Sequence, residues 1–474
     1  MNRFLLAAIT VALATTAQAG EVLRLKAGTM KPAELERNWD VSLHPEAQRT
    51  FVVQFKDHVT LADRQNLTSL GAKILRYLPD DALVVSANPR IARTIAQSSP
   101  AVSSVITFEP SWKVAPEIAP ASVFSAETTA VLHLRLFPGL TAKGERLIRE
   151  QIGALAGVEV LESQERSMVV RAKHSSLQLL ARIEMVEWIQ LQPTFETLAF
   201  NDDEIQANAE TEAAGDYSDL DGYESGTRVM KFDHAWKRGL TGHGQIVGVA
   251  DTGLDSGDVA AVHPDFSGRI TKGLIFGLFS KTWADPMGHG THVAGSVLGS
   301  GSKSNGALKG GAYEANVVAE SMWSPMLGGL SVPSKMGDLF GQAYDQGARI
   351  HTNSWGSPAS VGAYDSFAQQ TDEFTTSRPD MLILFAAGNS GVDMDKDGRI
   401  DPNSIGSPGT AKNVLTIGAS KNLVSKGGIQ KMMKELRNGA DNWGVEPIAS
   451  SRLSDNIQGI AGFSSRGPTA DGRT

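Results

Sequence analysis

The sequence contains no cysteine among its 474 residues, which excludes disulfide bonds and thiol chemistry. Positive charge is also scarce, since 44 Lys and Arg residues stand against 52 Asp and Glu residues and the formal net charge is -8. This balance argues against nucleic acid or an anionic membrane surface as a partner. Beyond the N-terminus, no stretch approaches the roughly 20 apolar residues that a membrane-spanning helix needs.

The N-terminus has the pattern of an export signal. Arg3 supplies a short positive region, residues 4–14 are apolar, and Ala17-Gln18-Ala19 is a small-residue cleavage site. We therefore expect residues 1–19 to be a signal peptide and the protein to be secreted or periplasmic, with no membrane association after signal removal. The alternative is a membrane anchor, for which the apolar run is too short.

Two segments, 48–118 and 128–200, carry the same succession of signals at an offset of about 83 residues. Each has an alternating strand, a helical stretch, a second strand, a second helix and a third strand that ends before Pro110 or Pro193. We interpret the segments as two small α+β modules. The alternative is a coincidence of generic α+β patterning.

Residues 201–226 are acidic and small, with almost no apolar periodicity, and predict a solvated linker. From residue 227 to residue 474 the pattern changes to alternating strands and helices. Strands are predicted at 245–250, 316–321, 349–354, 381–386 and 413–418. This alternation indicates an α/β fold with a doubly wound, mainly parallel sheet. Ligand sites in such sheets lie at the carboxyl ends of strands, where Asp251, Ser354 and Asn389 are expected.

Asp251 and His289 are the candidate acid and base. Asp251 ends a buried strand in the string Gln245-Ile-Val-Gly-Val-Ala-Asp251-Thr-Gly, and His289 opens a helix in Gly288-His289-Gly-Thr-His292-Val-Ala-Gly. Acyl transfer needs a base that takes and returns a proton and a group that orients that base. An alternative is a metal pair formed by His289 and His292 at helical spacing, but no third ligand is obvious and no Glu follows in the zincin pattern.

These strings resemble the subtilisin-like serine protease family, the subtilases. The resemblance continues through three further blocks in order and is closest to the large alkaline members. The blocks are Asn353-Ser354-Trp355-Gly356, Ala386-Ala387-Gly388-Asn389-Ser390-Gly391 with Ser407-Pro408-Gly409-Thr410-Ala411, and Phe463-Ser464-Ser465-Arg466-Gly467-Pro468. It implies a serine endopeptidase precursor with a subtilisin-like domain and polypeptide substrates.

The resemblance assigns roles to individual positions. Asp251 would orient His289, and Asn389 would donate its side-chain amide to the oxyanion. Ser354, Trp355 and Gly356 would line the substrate groove and pair with an extended peptide. For Asn389 the alternative is an ordinary turn residue, and for Trp355 it is a core aromatic residue.

The family's nucleophile motif, Gly-Thr-Ser-Met-Ala, does not occur in the sequence. We interpret the chain as a subtilase fragment whose catalytic domain is C-terminally truncated, and we expect it to be inactive. The alternative is a pseudoprotease that binds or inhibits without cleaving. The two N-terminal modules resemble subtilase propeptides, which implies an intramolecular chaperone and inhibitor. A permanent N-terminal domain remains the other interpretation.

A second chemical signal lies at residues 393–401. Asp393, Asp395, Asp397 and Asp401 occupy loop positions 1, 3, 5 and 9 around Gly398, which resembles a calcium loop. Position 12 is Ser404 rather than Glu, and Pro402 follows instead of a helix, so an EF-hand proper is not expected. We predict a structural calcium ion, with a solvated acidic turn as the alternative. Residues 424–458 are interpreted as an insertion with a short helix at 429–436.

Overall fold

The computed structural model describes residues 22–32, 46–118, 127–198, 226–424 and 429–473. The predicted signal peptide and the predicted linker up to residue 225 lie outside these ranges. The chain divides into two compact units, Met1–Gln192 and Pro193–Thr474. Within the described ranges, no helix has both the length and the apolar character that crossing a membrane requires.

The first unit contains a short hairpin and two four-stranded antiparallel sheets. The hairpin strands are β1 (Leu23–Leu25) and β2 (Gly28–Met30). The first sheet belongs to β3 (Arg49–Phe55), α1 (Leu61–Ser69), β4 (Lys73–Leu78), β5 (Ala82–Ala87), α2 (Pro89–Ser98) and β6 (Val102–Thr107). The second belongs to β7 (Thr129–Leu136), α3 (Ala142–Gly153), β8 (Val158–Gln164), β9 (Ser167–Lys173), α4 (Leu177–Ala181) and β10 (Val186–Leu191).

The two sheets have the same topology. Their strand orders are β4-β5-β3-β6 and β8-β9-β7-β10, so each strand of one sheet has a counterpart four strands later in the chain. In both sheets the central strands β3 and β9 are almost fully buried, which means that both faces of these strands are covered. Each sheet therefore has its own apolar core, one around Phe51 and Val85 and the other around Leu134 and Val170.

The second unit begins at Pro193, which differs from the predicted module boundary at residue 200. Its elements are β11 (Glu196–Thr197), α5 (Thr227–Met230), α6 (Phe232–Trp236), β12 (Ile246–Asp251), β13 (Ile270–Ile275), α7 (His289–Leu298), β14 (Asn316–Ser321), β15 (Trp323–Ser324), β16 (Gly329–Leu330), α8 (Met336–Asp345), β17 (Ile350–Asn353), β18 (Trp355–Gly356), α9 (Ser366–Ser377), β19 (Leu382–Ala386), β20 (Leu415–Ile417) and α10 (Gly439–Asn442). Residues 193–198 fold with this unit because β11 pairs with β18.

A six-stranded parallel sheet forms the centre of the second unit, in the order β13-β14-β12-β17-β19-β20. From β12 the chain passes to the edge strand β13, returns to β14 between these two strands, and then crosses to β17, β19 and β20 on the other side. This is the winding of a doubly wound α/β sheet, so the predicted fold class is confirmed. Apolar clusters lie on both faces of the sheet. The ends of β12, β17 and β19 therefore meet at one edge.

Beneath this edge lies a fully buried polar pair. Glu320 on β14 and His351 on β17 flank β12, and Glu320 Oε2 lies 2.6 Å from His351 Nε2. The imidazole reaches across because the intervening residue is Gly248, where an added Cβ would lie 2.6 Å from His351 Cδ2. Burial raises the pKa of the Glu320 carboxyl, and His351 opposes this shift.

The interpreted insertion before the last motif contains little regular structure. The predicted helix at 429–436 is wrong, since only a single 3₁₀ turn forms at Met433–Glu435. Met433, Leu436 and Trp443 instead form a small separate apolar cluster. Trp443 Nε1 donates to the carbonyl of Gly391 at 3.0 Å, which connects the insertion to the loop that follows β19.

Candidate active site

Asp251 and His289 form a hydrogen-bonded pair at the edge of the sheet. Asp251 is the last residue of β12 and is 1% exposed, and His289 is the first residue of α7. His289 Nδ1 lies 2.7 Å from Asp251 Oδ1. A buried carboxylate accepts at this distance, so the ring proton is assigned to Nδ1 and the basic lone pair to Nε2. The pair has the geometry of an oriented general base.

Asp285 fixes the first turn of α7 and thereby the position of His289. Its carboxylate accepts from the backbone N–H of Thr291 at 2.7 Å and from the Thr291 hydroxyl at 2.6 Å. It also accepts from the Thr252 hydroxyl at 2.7 Å, whose oxygen in turn accepts from Gly290 N–H at 2.9 Å. The backbone donors at the start of the helix thus have partners that connect directly to the residue after Asp251.

Sequence reasoning missed Asp285 and Thr252. The available signal was an acidic residue within four positions of the helix start, a common capping arrangement. Close packing of the two motifs was also not evident from the sequence. An added Cβ at Gly290 would lie 2.3 Å from the Gly253 carbonyl oxygen and 3.0 Å from Asp251 Cβ. The helix start therefore rests on the turn after β12 with no room for a side chain.

Asn389 lies three residues beyond the end of β19, in the loop that the last motif supports. Ser390 N–H donates to Ser465 Oγ at 3.1 Å, and Ser465 N–H donates to the Gly388 carbonyl at 2.9 Å. Within the described ranges, Asn389 Nδ2 is buried and has no hydrogen-bond partner. A buried amide donor without a partner costs free energy unless something else accepts from it.

Ser354, Trp355 and Gly356 lie along a cleft, but their side chains have different roles. The Trp355 indole is 0% exposed and donates from Nε1 to the Ala250 carbonyl at 3.0 Å, so it belongs to the core. Only its backbone faces the cleft. The indole therefore matches the interpretation as a core aromatic residue, whereas the backbone of Trp355 matches the interpretation as a residue of the groove.

An extended segment of the same chain occupies this cleft. β11 pairs antiparallel with β18, with Glu196 opposite Gly356 and Thr197 opposite Trp355. Leu198 N–H then donates to the Ser354 carbonyl at 3.0 Å. Sequence reasoning placed these residues in the second module, because nothing in their own pattern shows which sheet they join.

A pocket of about 80 Å³ opens beside the end of this segment. Its walls consist of the segment itself, the strand beside it, the end of β19 and the Asn389 loop, including Leu198, Gly356, Ala386, Gly388, Asn389 and Gly406. Four of the lining residues are Gly or Ala, and the walls are mixed in character because polar residues such as Thr197, Ser357 and Ser390 also contribute. The pocket lies next to the Asn389 amide.

The acidic loop brings three of its four predicted ligands together. Carboxylate oxygens of Asp393, Asp395 and Asp401 lie within 4.8 Å of one another. Asp397 is not in this group, and its Oδ1 accepts from the backbone N–H of Arg399 at 2.8 Å. Among the described residues this is the only cluster of three or more acidic, His or Cys side chains with metal-ligand spacing. His289 and His292 therefore do not form a described metal site.

The fold therefore places a hydrogen-bonded carboxylate–imidazole pair at the edge of a doubly wound sheet. Comparison with known families is specific: residues 242–474 match the model of the subtilase family, Peptidase_S8. This part of the chain belongs to the subtilase family. Residues 24–109 match a model described as a domain of unknown function, DUF8729.

Individual relatives are more distant. The chain is 31% identical over 245 residues to serine protease AprX of Bacillus subtilis, covering 49% of this chain and 45% of AprX. It is 26% identical over 430 residues to the serine protease/ABC transporter B family protein tagD of Dictyostelium discoideum, covering 82% of this chain and 22% of tagD. The chain thus spans less than half the length of either relative. The epidermin leader peptide processing serine protease from Staphylococcus aureus has a solved structure with a TM-score of 0.41 and 14% identity, covering 62% of this chain and 70% of that one.

Proposed function

We propose that this protein is the precursor of a secreted or periplasmic serine endopeptidase that hydrolyses polypeptides through a Ser-His-Asp acyl-enzyme. The observation that carries the proposal is the 2.7 Å bond between Asp251 and His289 at the sheet edge. The export pattern of residues 1–19 supports the location.

In the proposed mechanism, His289 takes the proton of a serine hydroxyl as that oxygen attacks the peptide carbonyl. Asp251 holds the imidazole in the required tautomer and stabilises the imidazolium that forms. His289 then returns the proton to the leaving amine. The amide of Asn389 donates to the oxyanion, and removing such a donor costs about 100- to 1000-fold in rate.

The serine itself is not assigned to any residue of this sequence, because Gly-Thr-Ser-Met-Ala is absent. We therefore propose that the 474-residue chain alone does not complete the acyl-transfer step. The protein expressed from its complete reading frame is the species to assay. It should hydrolyse a protein substrate, and His289→Ala or Asp251→Asn should lower kcat by about 10⁴-fold or more. Full activity in the His289→Ala variant would refute the proposal.

The N-terminal unit is proposed to act as an intramolecular inhibitor and folding chaperone. Support comes from residues 196–198, which follow the last strand of this unit by a few residues and bond to the strand of the cleft. A segment in this position excludes other peptides. Adding a polypeptide of residues 20–198, which includes the segment that pairs with β18, to the mature enzyme should inhibit hydrolysis competitively, whereas a permanent N-terminal domain would leave it unchanged.

The pairing of β11 with β18 also favours a second candidate, a pseudoprotease that captures extended peptides without cleaving them. The two functions differ in one observation. An enzyme turns over the peptide that it binds, whereas a pseudoprotease binds it with no hydrolysis in the full-length product.

Structural calcium at the acidic loop is a further proposal. Three clustered carboxylates repel one another unless a cation compensates their charge. The residues fit such an ion in chemistry, since Ca²⁺ prefers carboxylate oxygens. Asp393, Asp395 and Asp401 would hold it, and its role would be to fix the loop that joins the Asn389 turn to the rest of the domain.

A further inference from the structure

A buried hydrogen bond joins the start of α9 to the turn that forms one wall of the pocket beside Asn389. Ser407 Oγ donates to Asp365 Oδ1 at 2.5 Å, although 42 positions separate the two residues in the chain. Ser407 is 0% exposed and Asp365 is 6% exposed. This distance is typical of a hydroxyl that donates to an ionised carboxylate, which is among the stronger hydrogen bonds in proteins.

Asp365 has a fixed position because it caps α9. Its Oδ1 also accepts from the backbone N–H groups of Phe367 and Ala368, each at 3.0 Å. A carboxylate in this place satisfies donors that have no partner within the helix, and the helix dipole favours its charge. Phe367 is fully buried in the larger apolar cluster of the second unit. The acceptor of the Ser407 hydroxyl is therefore attached to the core of the domain.

The backbone around Ser407 forms a wall of the pocket. Gly406, Ser357 and Asn389 all line this pocket. The Ser407 carbonyl accepts from Ser357 N–H at 2.8 Å, and an added Cβ at Gly406 would lie 3.2 Å from the Ser357 carbonyl oxygen. Gly406 N–H donates to the Ala387 carbonyl at 3.1 Å. Because the two stretches of backbone touch, a shift of Ser407 moves the wall.

Asp365 and Ser407 act on the wall and not on a ligand. Neither residue is among the described residues that line the pocket. If their bond is lost, the bonds of Ser357 and Gly406 still attach the turn to the cleft, so the domain keeps its fold while the wall loses its anchor to α9. The hydroxyl of Ser407 is therefore a device for holding the wall in one position.

The pocket is placed to receive the side chain next to the carbonyl under attack. Asn389 is the proposed oxyanion donor, and such a donor lies beside that carbonyl. The side chain of the residue that carries the carbonyl then enters the space beside Asn389. This space has a volume of only about 80 Å³, so a small displacement of its wall changes which side chains fit.

We infer that Asp365 and Ser407 are positioning residues for substrate selection, because their hydrogen bond fixes the wall of the pocket and thereby determines how well it distinguishes the side chain before the scissile bond. This inference rests on the proposed endopeptidase function. It assigns a role in selectivity to a helix cap and a buried hydroxyl that take no part in the proton transfers.

Ser407→Ala, in the protein expressed from its complete reading frame, provides the test, because it removes the hydroxyl and leaves the cap of α9 intact. The substrates are peptide p-nitroanilides that differ only in the residue before the cleaved bond: Gly, Ala, Leu, Phe or Lys. The selectivity ratio is kcat/KM for the best of these substrates divided by kcat/KM for the Gly substrate. It should fall by about tenfold, because a displaced wall loses the fit of a side chain, whereas glycine places none in the pocket. A lower fraction of folded enzyme lowers both values equally and leaves the ratio unchanged.

Substitutions of Asp365 test the same bond from its acceptor. Asp365→Ala should lower the selectivity ratio as Ser407→Ala does. Asp365→Asn keeps an acceptor oxygen and a good helix cap, so it should keep the native ratio. The double variant Asp365→Ala/Ser407→Ala should have the ratio of Asp365→Ala alone, because both changes break one bond.

Thr371→Ala is the matched control for stability. Thr371 is fully buried on α9, and its hydroxyl donates to the Phe367 carbonyl at 2.9 Å. The variant removes a buried hydroxyl of the same helix without reaching the turn at Ser407, so it should keep the native selectivity ratio.

The outcomes separate this inference from the proposed function. An active Ser407→Ala enzyme with the native ratio overturns the inference and leaves the proposed function standing. The same holds if Thr371→Ala lowers the ratio as much as Ser407→Ala, or if the effects of Asp365→Ala and Ser407→Ala add in the double variant. A protein from the complete reading frame that cleaves no peptide overturns the proposed function and this inference with it.

Discussion

His289 Nδ1 and Asp251 Oδ1 are separated by 2.7 Å, although 38 positions separate the two residues in the chain. The contact depends on the placement of α7 over the end of β12, and Asp285, Thr252 and Gly290 determine this placement. The orientation of the base is therefore a property of packing between two motifs rather than of either motif alone.

Gly290→Ala should disrupt this packing. The new Cβ would lie 2.3 Å from a backbone oxygen that cannot rotate away, so α7 must shift, and we expect a loss of about 1–3 kcal/mol in the free energy of unfolding. Gly295→Ala, on the same helix, is the matched control because no atom lies within 4 Å of its added Cβ. Urea denaturation should show Gly295→Ala unchanged or more stable by up to about 1 kcal/mol. Equal stability of the two variants would refute the packing argument.

Asp285→Ala should also weaken the packing of the start of α7 against the turn after β12. The variant removes the acceptor for two backbone donors at the start of α7, and loss of a helix cap costs about 0.5–2 kcal/mol. Since Asp285 positions His289 without touching substrate, kcat of the mature enzyme should fall while KM changes little. Asp285→Asn, which keeps one acceptor oxygen, should give an intermediate kcat. A variant with lower stability but normal kcat would limit Asp285 to a structural role.

The buried carboxyl of Glu320 predicts a pH dependence of stability. Burial raises its pKa in the folded protein above the ordinary value of 4.5, so the folded state binds more protons than the unfolded state once the pH exceeds that value. The free energy of unfolding should therefore decrease as pH rises from 4.5 through the raised pKa. Glu320→Gln should remove this component. In denaturation series from pH 4.5 upward, the free energy of unfolding of Glu320→Gln should rise relative to that of the native protein. Glu446→Gln, at an exposed residue, is the control, and its free energy of unfolding should change with pH as that of the native protein does.

Calcium should stabilise the acidic loop through three carboxylates and not through the fourth. At a calcium concentration of about 100 times Kd, the native protein should gain about 2.7 kcal/mol, and a chelator should reverse the gain. Asp401→Asn should abolish the response. Asp397→Asn should retain it, because the Asp397 carboxylate lies outside the cluster that the other three form. A chelator response that persists in Asp401→Asn would exclude this site.

The sequence predicted the fold class because buried parallel strands leave continuous apolar runs, as at β12 and β14. It missed β13, β4 and β8 for a common physical reason. These are edge strands, and their residues are largely half-buried or exposed, so their apolar residues do not form a clear pattern. The strand order within each antiparallel sheet could not be predicted, because β4 and β8 were not recognised as strands.

The candidate site was predicted as residue types and not as contacts. Local strings located Asp251, His289 and Asn389, because strand ends and helix starts can be recognised over a few residues. The Asp285 network, the Ser465 support of the Asn389 loop and the pairing of residues 196–198 join positions far apart in the chain. No local pattern encodes such partners. Asp397 was grouped with the calcium ligands because loop spacing alone does not show which carboxylates the fold brings together.

Labelling by a fluorophosphonate probe tests the central proposal most directly, since the probe reacts with a serine that an oriented base has activated. The full-length gene product should be labelled stoichiometrically at one serine, and His289→Ala should abolish the labelling. The 474-residue chain alone should remain unlabelled. A full-length product that takes up no label, or one that is labelled equally with and without His289, would contradict the account.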